Sequence, residues 1–399
     1  MSDFAQTLRT YEAALKEDFL PVWKNQFNTD PSAMLGKIKK IPLKSDKIVA
    51  TAPIGLSGGF GFGAENEPTP KSGNVRLDRF ETRAKDMYVN ICISAKAVRL
   101  TGSGGAAANA LQTEVKGAYE TAKWNVGRSL FGNGTGVLTT TAPVGSGATT
   151  VTVTDVTYLK EGLIVDFYGG SPKAGSTPST AGVRILSINR EDKTVTFDRG
   201  LVPAADGGFI TVQNSYNREI TGLGAIVDKN ITTLYGVNKA ENPYLIPAAY
   251  DCGDDISDGM ITKALRNAKN DKNSDVDMIL CGNDAYDAYV DYLRTNNVRV
   301  EAMTHEIKGG FKAIKFIFGN KEVDIVNEQF VPTTEMWGVD TGALELHTQE
   351  WNFADLQGGG IFNLMEGKSI YRALLANYGD LICTNPGGCF RLANVGYTA

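Results

Sequence analysis

Two histidines in 399 residues leave little imidazole for metal or nucleophile chemistry, and neither His305 nor His347 lies in an H-E-x-x-H pair. No G-x-S-x-G elbow occurs either, so no serine is marked as a nucleophile. The five cysteines are few and odd in number, which suits a reducing compartment better than a disulfide scaffold. No apolar run approaches the roughly 20 residues a bilayer-spanning helix requires. Met1 is followed by SDFAQTLRTYEAALKEDFL, without the basic and apolar regions of a secretory signal, so export is not expected. The net charge of -5, from 40 basic and 45 acidic residues, excludes a strongly basic nucleic-acid binder.

What is present is an ordinary globular composition, 42% apolar and 21% charged, with 44 glycines gathered in particular loops. Leu8, Tyr11, Leu15, Phe19 and Trp23 recur at helical spacing over residues 4 to 27, predicting an amphipathic helix. GKIKKIPLKSDK follows, with Lys37, Lys39, Lys40, Lys44 and Lys47 against one aspartate. Pro42 and the missing helical period make it an extended arm, either a solvated linker or a contact for a polyanion.

KIVATAPIGL and VRLDRFETRAKDMYVNICIS then read as two long strands, the second alternating through Met87, Val89, Ile91 and Ile93. SGGFGFGAENEPTPKSGN joins them, so the block 48–98 is expected to be a protruding β-hairpin with a glycine-rich tip. Leu111, Val115, Tyr119, Ala122, Val126 and Leu130 predict a long helix that GNGTG ends at 132–136. Short Val-, Ile- and Thr-rich strands fill 137–213, where NREDK is a tight-turn sequence, so a small β-barrel or sandwich is expected there. Residues 214–399 mix helices with strands, giving an α+β class for the whole.

Several stretches invite chemistry. GGFGFGAE and GNGTG lack both phosphate-loop spacings, and the first joins two strands instead of opening a helix. Asp284, Asp287 and Asp291 share a helix face in NDAYDAYVDYL, a pattern that could bind a divalent cation or serve acid–base work. Tyr286, Tyr289 and Leu293 repeat on the opposite face, so an acidic solvated side accounts for both stripes, with Asn283 as the expected N-cap. Cys383 and Cys389 stand in C-x5-C around TNPGG, where Pro386, Gly387 and Gly388 are turn residues. A β-hairpin is expected, with a disulfide or metal role as the alternative. No catalytic residue, resident metal or cofactor is nominated.

The order of these elements resembles the major capsid protein of tailed bacteriophages, the shell fold also used by encapsulins. The closing YRALLANYGDLIC…CFRLANV and the stretch NREITGLGAIVD are similar to that family's sequence. The resemblance implies an N-terminal helix and arm (1–47), an E-loop (48–98), a spine helix (99–136), an inserted all-β domain (137–213) and a peripheral and axial α+β domain (214–399). It implies a non-enzymatic protein that assembles with itself, as pentamers and hexamers, into an icosahedral shell around double-stranded DNA. The E-loop tip residues Phe60, Phe62, Glu65, Glu67 and Lys71 would touch a neighbouring subunit. Lys71 is placed where some relatives join a lysine covalently to a neighbour's asparagine. The lysine-rich arm would face DNA or a scaffold. Implied partners are a separate scaffolding protein, a portal and a decoration protein on the insert, in a virion assembled in the host cytoplasm, with no membrane. Competing readings are an encapsulin-like compartment, an exported surface-array or adhesion protein, and an enzyme built on the aspartate stripe.

Overall fold

The computed structural model describes residues 20–27, 32–53, 59–63, 65, 68–69, 71, 73, 77–96, 106–253, 255–296, 304–307, 311–354 and 360–396. The expected N-terminal helix falls within that set only at α1 (Leu20–Phe27), whose Trp23 and Phe27 rings pack on Tyr119. The arm that follows is not a loose linker. Its strand β1 (Lys39–Pro42) pairs in parallel with β19 (Leu344–Thr348) as the edge of a sheet, so one side of its backbone is bonded within the chain.

The hairpin consists of β2 (Lys47–Pro53) and β3 (Leu77–Arg83), antiparallel from Lys47↔Arg83 to Pro53↔Leu77. Here the expectation of one long second strand is corrected. The chain breaks at Ala84, and β4 (Lys85–Ser94) leaves the hairpin to join a larger sheet. The alternation of Met87, Val89, Ile91 and Ile93 records this, because that face packs into a core with Val115, Trp351 and Leu375. The long helix α2 (Ala106–Phe131) follows, in the place its periodicity predicts.

The chain divides into two compact units, 128–225 and the remainder. In the smaller one, β5 (Val137–Thr141), β6 (Thr150–Thr152), β7 (Ile164–Gly169), β8 (Thr180–Asn189), β9 (Thr194–Phe197) and β10 (Gly208–Val212) lie in the order β5-β10-β7-β8-β9-β6. A bridge between Thr141 and Val153 brings the first and last strands together, flanked by Ala142 N–H to Thr152 O at 2.9 Å. The ring is therefore closed, and closure removes the exposed edges of an open sheet. Val151, Val165, Phe167, Val183, Ile185, Val195 and Phe197 are buried within this unit. NREDK forms the β8–β9 turn, where the Asn189 side chain accepts from the Glu191 and Asp192 amides and Lys193 takes positive φ.

The ends of this unit are joined by a buried ion pair. Arg128 donates two hydrogen bonds to Glu219, at 2.9 and 2.6 Å, with both side chains under a tenth exposed. A Cβ on Gly222 would lie 2.5 Å from the carbonyl oxygens of Leu130 and Ser129, so only glycine permits that approach.

The chain continues through the short α3 (Leu223–Val227) and, within the larger unit, the ribbon β11 (Thr233–Leu234) and β12 (Val237–Asn238) and then β13 (Ala248–Asp251). Next come α4 (Asp258–Lys272), β14 (Met278–Cys281), α5 (Asn283–Thr295), β15 (Thr304–Ile307), β16 (Phe311–Phe318), β17 (Lys321–Asn327) and β18 (Met336–Val339). The last strands are β19, β20 (Asn352–Phe353), β21 (Phe362–Leu364), β22 (Ile370–Cys383) and β23 (Phe390–Ala393). A seven-stranded sheet runs β13-β23-β18-β14-β17-β16-β15, and Ile261, Leu265, Tyr289 and Leu293 of α4 and α5 pack in its core. A six-stranded sheet is organised by β22, which pairs with β4, β19, β20 and β21.

Replacing Arg128 with Met leaves Glu219 buried without its counter-ion, which is expected to cost about 3–5 kcal/mol. Urea unfolding should show this loss, and Arg128→Met with Glu219→Leu should recover most of it. An additive double mutant would show that the pair is not coupled.

Candidate assembly surface

The hairpin root is fixed by side chains on alternate positions of β3. Phe80 is buried with its ring 5.5 Å from that of Tyr235, and Thr82 donates to the buried Asp380 at 2.6 Å. The Glu81 amide donates to Tyr235 O at 2.9 Å and the Ala84 amide to Asp46 O at 2.9 Å. On the outer side Lys47 and Arg79 bracket Glu81, at 2.6 and 2.8 Å, and the Lys47 hydrogen bond lowers the Glu81 carboxyl below its ordinary range.

Beyond the root the hairpin carries apolar groups into solvent. Val49 and Leu77 are exposed, and at the tip Phe60 is 81% and Phe62 96% exposed. Their rings meet edge to face at 5.3 Å, the arrangement aromatic quadrupoles favour. Glu65 and Lys71 are exposed as well, while Glu67 lies outside the described residues. Large exposed aromatics flanked by glycines have nothing to gain in a monomer and suit insertion into another surface.

The five arm lysines do not form a single basic face. Lys37 bonds Asp324 at 2.5 Å with Asp277 at 3.7 Å, Lys39 pairs with Glu345 at 3.0 Å, and Lys47 serves Glu81. Lys40 is also engaged, and Lys44 is exposed. Three of these lysines thus have carboxylate neighbours within the chain, while the side chains of Lys39 and Lys47 stay more than half exposed.

The C-terminal expectation also changes. Pro386–Gly388 do form a tight turn, one short 3-10 helix, but its flanks are not a hairpin. Strand β22 belongs to the six-stranded sheet and β23 to the seven-stranded one, so the turn passes between sheets. Cys383 and Cys389 are buried free thiols on either side of it. The aspartate stripe is solvated as its spacing suggests: Asp284, Asp287 and Asp291 are exposed while Tyr289 and Leu293 are buried. Helix α5 begins at Asn283 itself, with Gly282 at the N-cap, so Asn283 is not the cap. Among the described residues, no group of three or more His, Cys, Asp or Glu is arranged to hold a metal ion, and no helix is long and apolar enough to cross a membrane.

One contact has no local signal in the sequence. The buried Ser32 hydroxyl caps the turn Ala33–Gly36 by accepting from the Met34 amide at 3.2 Å, and donates to Glu328 at 2.7 Å. Burial, only partly offset by bonds from Ser32 and the Phe330 and Gln329 amides, pushes the Glu328 carboxyl up to about 7. With the Lys37 ion pairs, this seats the arm on the segment from β17 to Phe330.

No family model matches the chain, and no curated protein does. Solved structures do. The chain of the cyanophage A-1(L) capsid asymmetric unit superposes with a TM-score of 0.53 at 10% identity, covering 91% of this chain and 92% of that one. The fold is that of the phage capsid shell. A holo-SrpI encapsulin complex from Synechococcus elongatus PCC 7942 matches at 0.48 and 10% identity, over 91% and 88%. The procapsid of satellite phage P4, including its size determination protein, matches at 0.44 and 11%, over 98% of both chains.

Because Glu328 is raised from an ordinary 4.5 to about 7, folding takes up a proton between these values. Stability from this group is full below about pH 4.5 and is lost as pH rises through 7, by about 3 kcal/mol in all. Urea midpoints measured from pH 5 to 8 should fall accordingly, and Glu328→Gln should flatten that fall. An unchanged slope in the variant would assign the dependence elsewhere.

Proposed function

We propose that this chain is a major capsid protein, assembling with itself into a closed shell of pentamers and hexamers around double-stranded DNA. The observation that carries the reading is the exposed Phe60–Phe62 tip on a rooted hairpin, in a chain with the capsid-shell fold. In this reading 48–98 is the E-loop, and Phe60, Phe62, Glu65, Glu67 and Lys71 reach a neighbouring copy. Segments 1–47, 99–136, 137–213 and 214–399 serve as N-terminal arm, spine helix, inserted domain, and peripheral and axial domain.

Weak contacts repeated around a closed shell suffice for stability, because each copy is held by several partners at once. The glycines around Phe60 and Phe62 let one tip meet five-fold and six-fold neighbours at slightly different angles. Contact of the arm with packaged DNA or a scaffold would fall to Lys37, Lys39, Lys40, Lys44 and Lys47, of which Lys44 is exposed and Lys39 and Lys47 remain more than half exposed beside their carboxylates. A separate scaffolding protein, a portal and a decoration protein are further partners, in a virion built in the host cytoplasm. The role is structural, and no residue is assigned a catalytic step.

Light scattering on a sizing column, with and without scaffold, tests this. Wild-type protein is expected as capsomers or megadalton particles. Phe60→Ser with Phe62→Ser should lose the large species while shifting stability by no more than about 0.5 kcal/mol, as for exposed sites. A wild-type monomer under both conditions would overturn the reading, as would full assembly of the double variant.

A further inference from the structure

We propose that Asn133 is a self-modifying residue: the Gly134 nitrogen closes on its side-chain amide, and the loop 132–136 comes to carry aspartate or isoaspartate. Asn133–Gly134 is the one Asn–Gly step in the chain. It lies outside helix and strand, between α2 and β5, within the smaller unit. Asn133 is exposed, so water can enter and ammonia can leave.

The turn arranges the reacting atoms. The Thr135 amide donates to Asn133 Oδ1 at 3.1 Å, and the Thr135 hydroxyl donates to the same oxygen at 2.6 Å. The first bond closes an Asx turn, a ring whose members include the Gly134 nitrogen, so that nitrogen and Cγ are held on one short loop. Among the described residues the Gly134 amide donates no hydrogen bond, which leaves its proton open to solvent. Gly134 has φ +82° and no side chain to screen its nitrogen. Thr135 is itself held: its carbonyl accepts from the Asn217 amide at 2.8 Å and its hydroxyl oxygen from the Val137 amide at 3.4 Å. The hydroxyl proton is thereby left for Asn133. Both Thr135 donors point at the oxygen on which negative charge develops when Cγ becomes tetrahedral, the arrangement that stabilises oxyanions in acyl transfer.

The steps balance with water as the co-reactant. Solvent base removes the Gly134 amide proton, and the nitrogen attacks Cγ to form a new C–N bond. The tetrahedral anion collapses, the Cγ–Nδ2 bond breaks, and ammonia leaves with a proton from water. Water then opens the resulting succinimide. Breaking the bond from the Gly134 nitrogen to Cγ gives aspartate. Breaking its bond to the Asn133 main-chain carbonyl carbon gives isoaspartate, with the chain running through Cγ. One asparagine and one water become one carboxylic acid and one ammonia, and nothing is oxidised or reduced.

The loop has little room for a longer backbone. A Cβ on Gly136 would fall 2.6 Å from Ser215 O, and one on Gly134 3.6 Å from Ile220 O. The new carboxylate also arrives one residue from Gly132, where a Cβ would lie 3.9 Å from Glu219 Oε2, the partner of Arg128. Ageing therefore loosens the smaller unit.

Full-length protein would be stored for weeks at mildly alkaline and at mildly acidic pH, digested in acid, and weighed with fragmentation that separates isoaspartate from aspartate. The expected result is the mass gain of an amide-to-acid change at Asn133, faster at the alkaline pH. Thr135→Val should slow it roughly fivefold, the worth of one hydrogen bond, and Thr135→Ser should restore the rate. Asn133→Gln, whose ring would need six members, should stay unmodified. Stored wild-type protein should unfold at lower urea than fresh protein, and stored Asn133→Gln should not change. An unaltered Asn133 in protein stored while a free peptide of residues 130–138 deamidates would overturn the proposal. So would Thr135→Val reacting at the wild-type rate or faster, or modified protein with an unchanged urea midpoint.

Discussion

The pairing of β4 with β22 is the constraint on which the larger unit depends. Ten residues from Lys85 to Ser94 run antiparallel to Gly379 through Ile370, joining the two ends of the chain in a single register. Strand register along a buried face is strongly specified, because a slip by one residue would turn Ile91 out of the core and Cys92 into it. With β4 fixed, Ala84 is fixed, and the hairpin root follows through Phe80, Thr82 and the Ala84 amide. The projecting tip can be all exposed aromatic and glycine because its anchoring is done elsewhere.

The same long strand organises the remainder of its sheet. Past Gly379 it pairs with β19, which carries the arm strand β1, so the amino-terminal arm and the hairpin share one support. It then turns through Pro386–Gly388 into the other sheet, where the Phe390 ring lies so close to Gly338 that a Cβ there would sit at 2.2 Å. The Ser32–Glu328 contact adds a pH-dependent element to the arm's seat, since its carboxyl changes charge near neutrality.

Much of this was legible in the residues. Helical spacing marked α2, the NREDK turn and Val/Thr alternation marked the β unit, and the paired acidic and apolar faces of 283–295 marked a solvated helix. What stayed hidden was non-local. Nothing near Ala84 signals that one apparent strand is two, and only β22 decides which part pairs where. The lysines of 36–47 read as free charge until Asp324, Glu345 and Glu81 are brought to them by the fold. Cys383 and Cys389 flank a turn of ordinary hairpin chemistry, and only sheet membership separates a hairpin from a crossover.

The central claim is that the β2–β3 hairpin is an intermolecular element. Cryo-electron microscopy of particles formed by the full chain tests it most directly. The account predicts closed shells in which the Phe60 and Phe62 rings of one copy are buried against an adjacent copy. Shells in which both rings remain in solvent, or fold back on their own subunit, would contradict it.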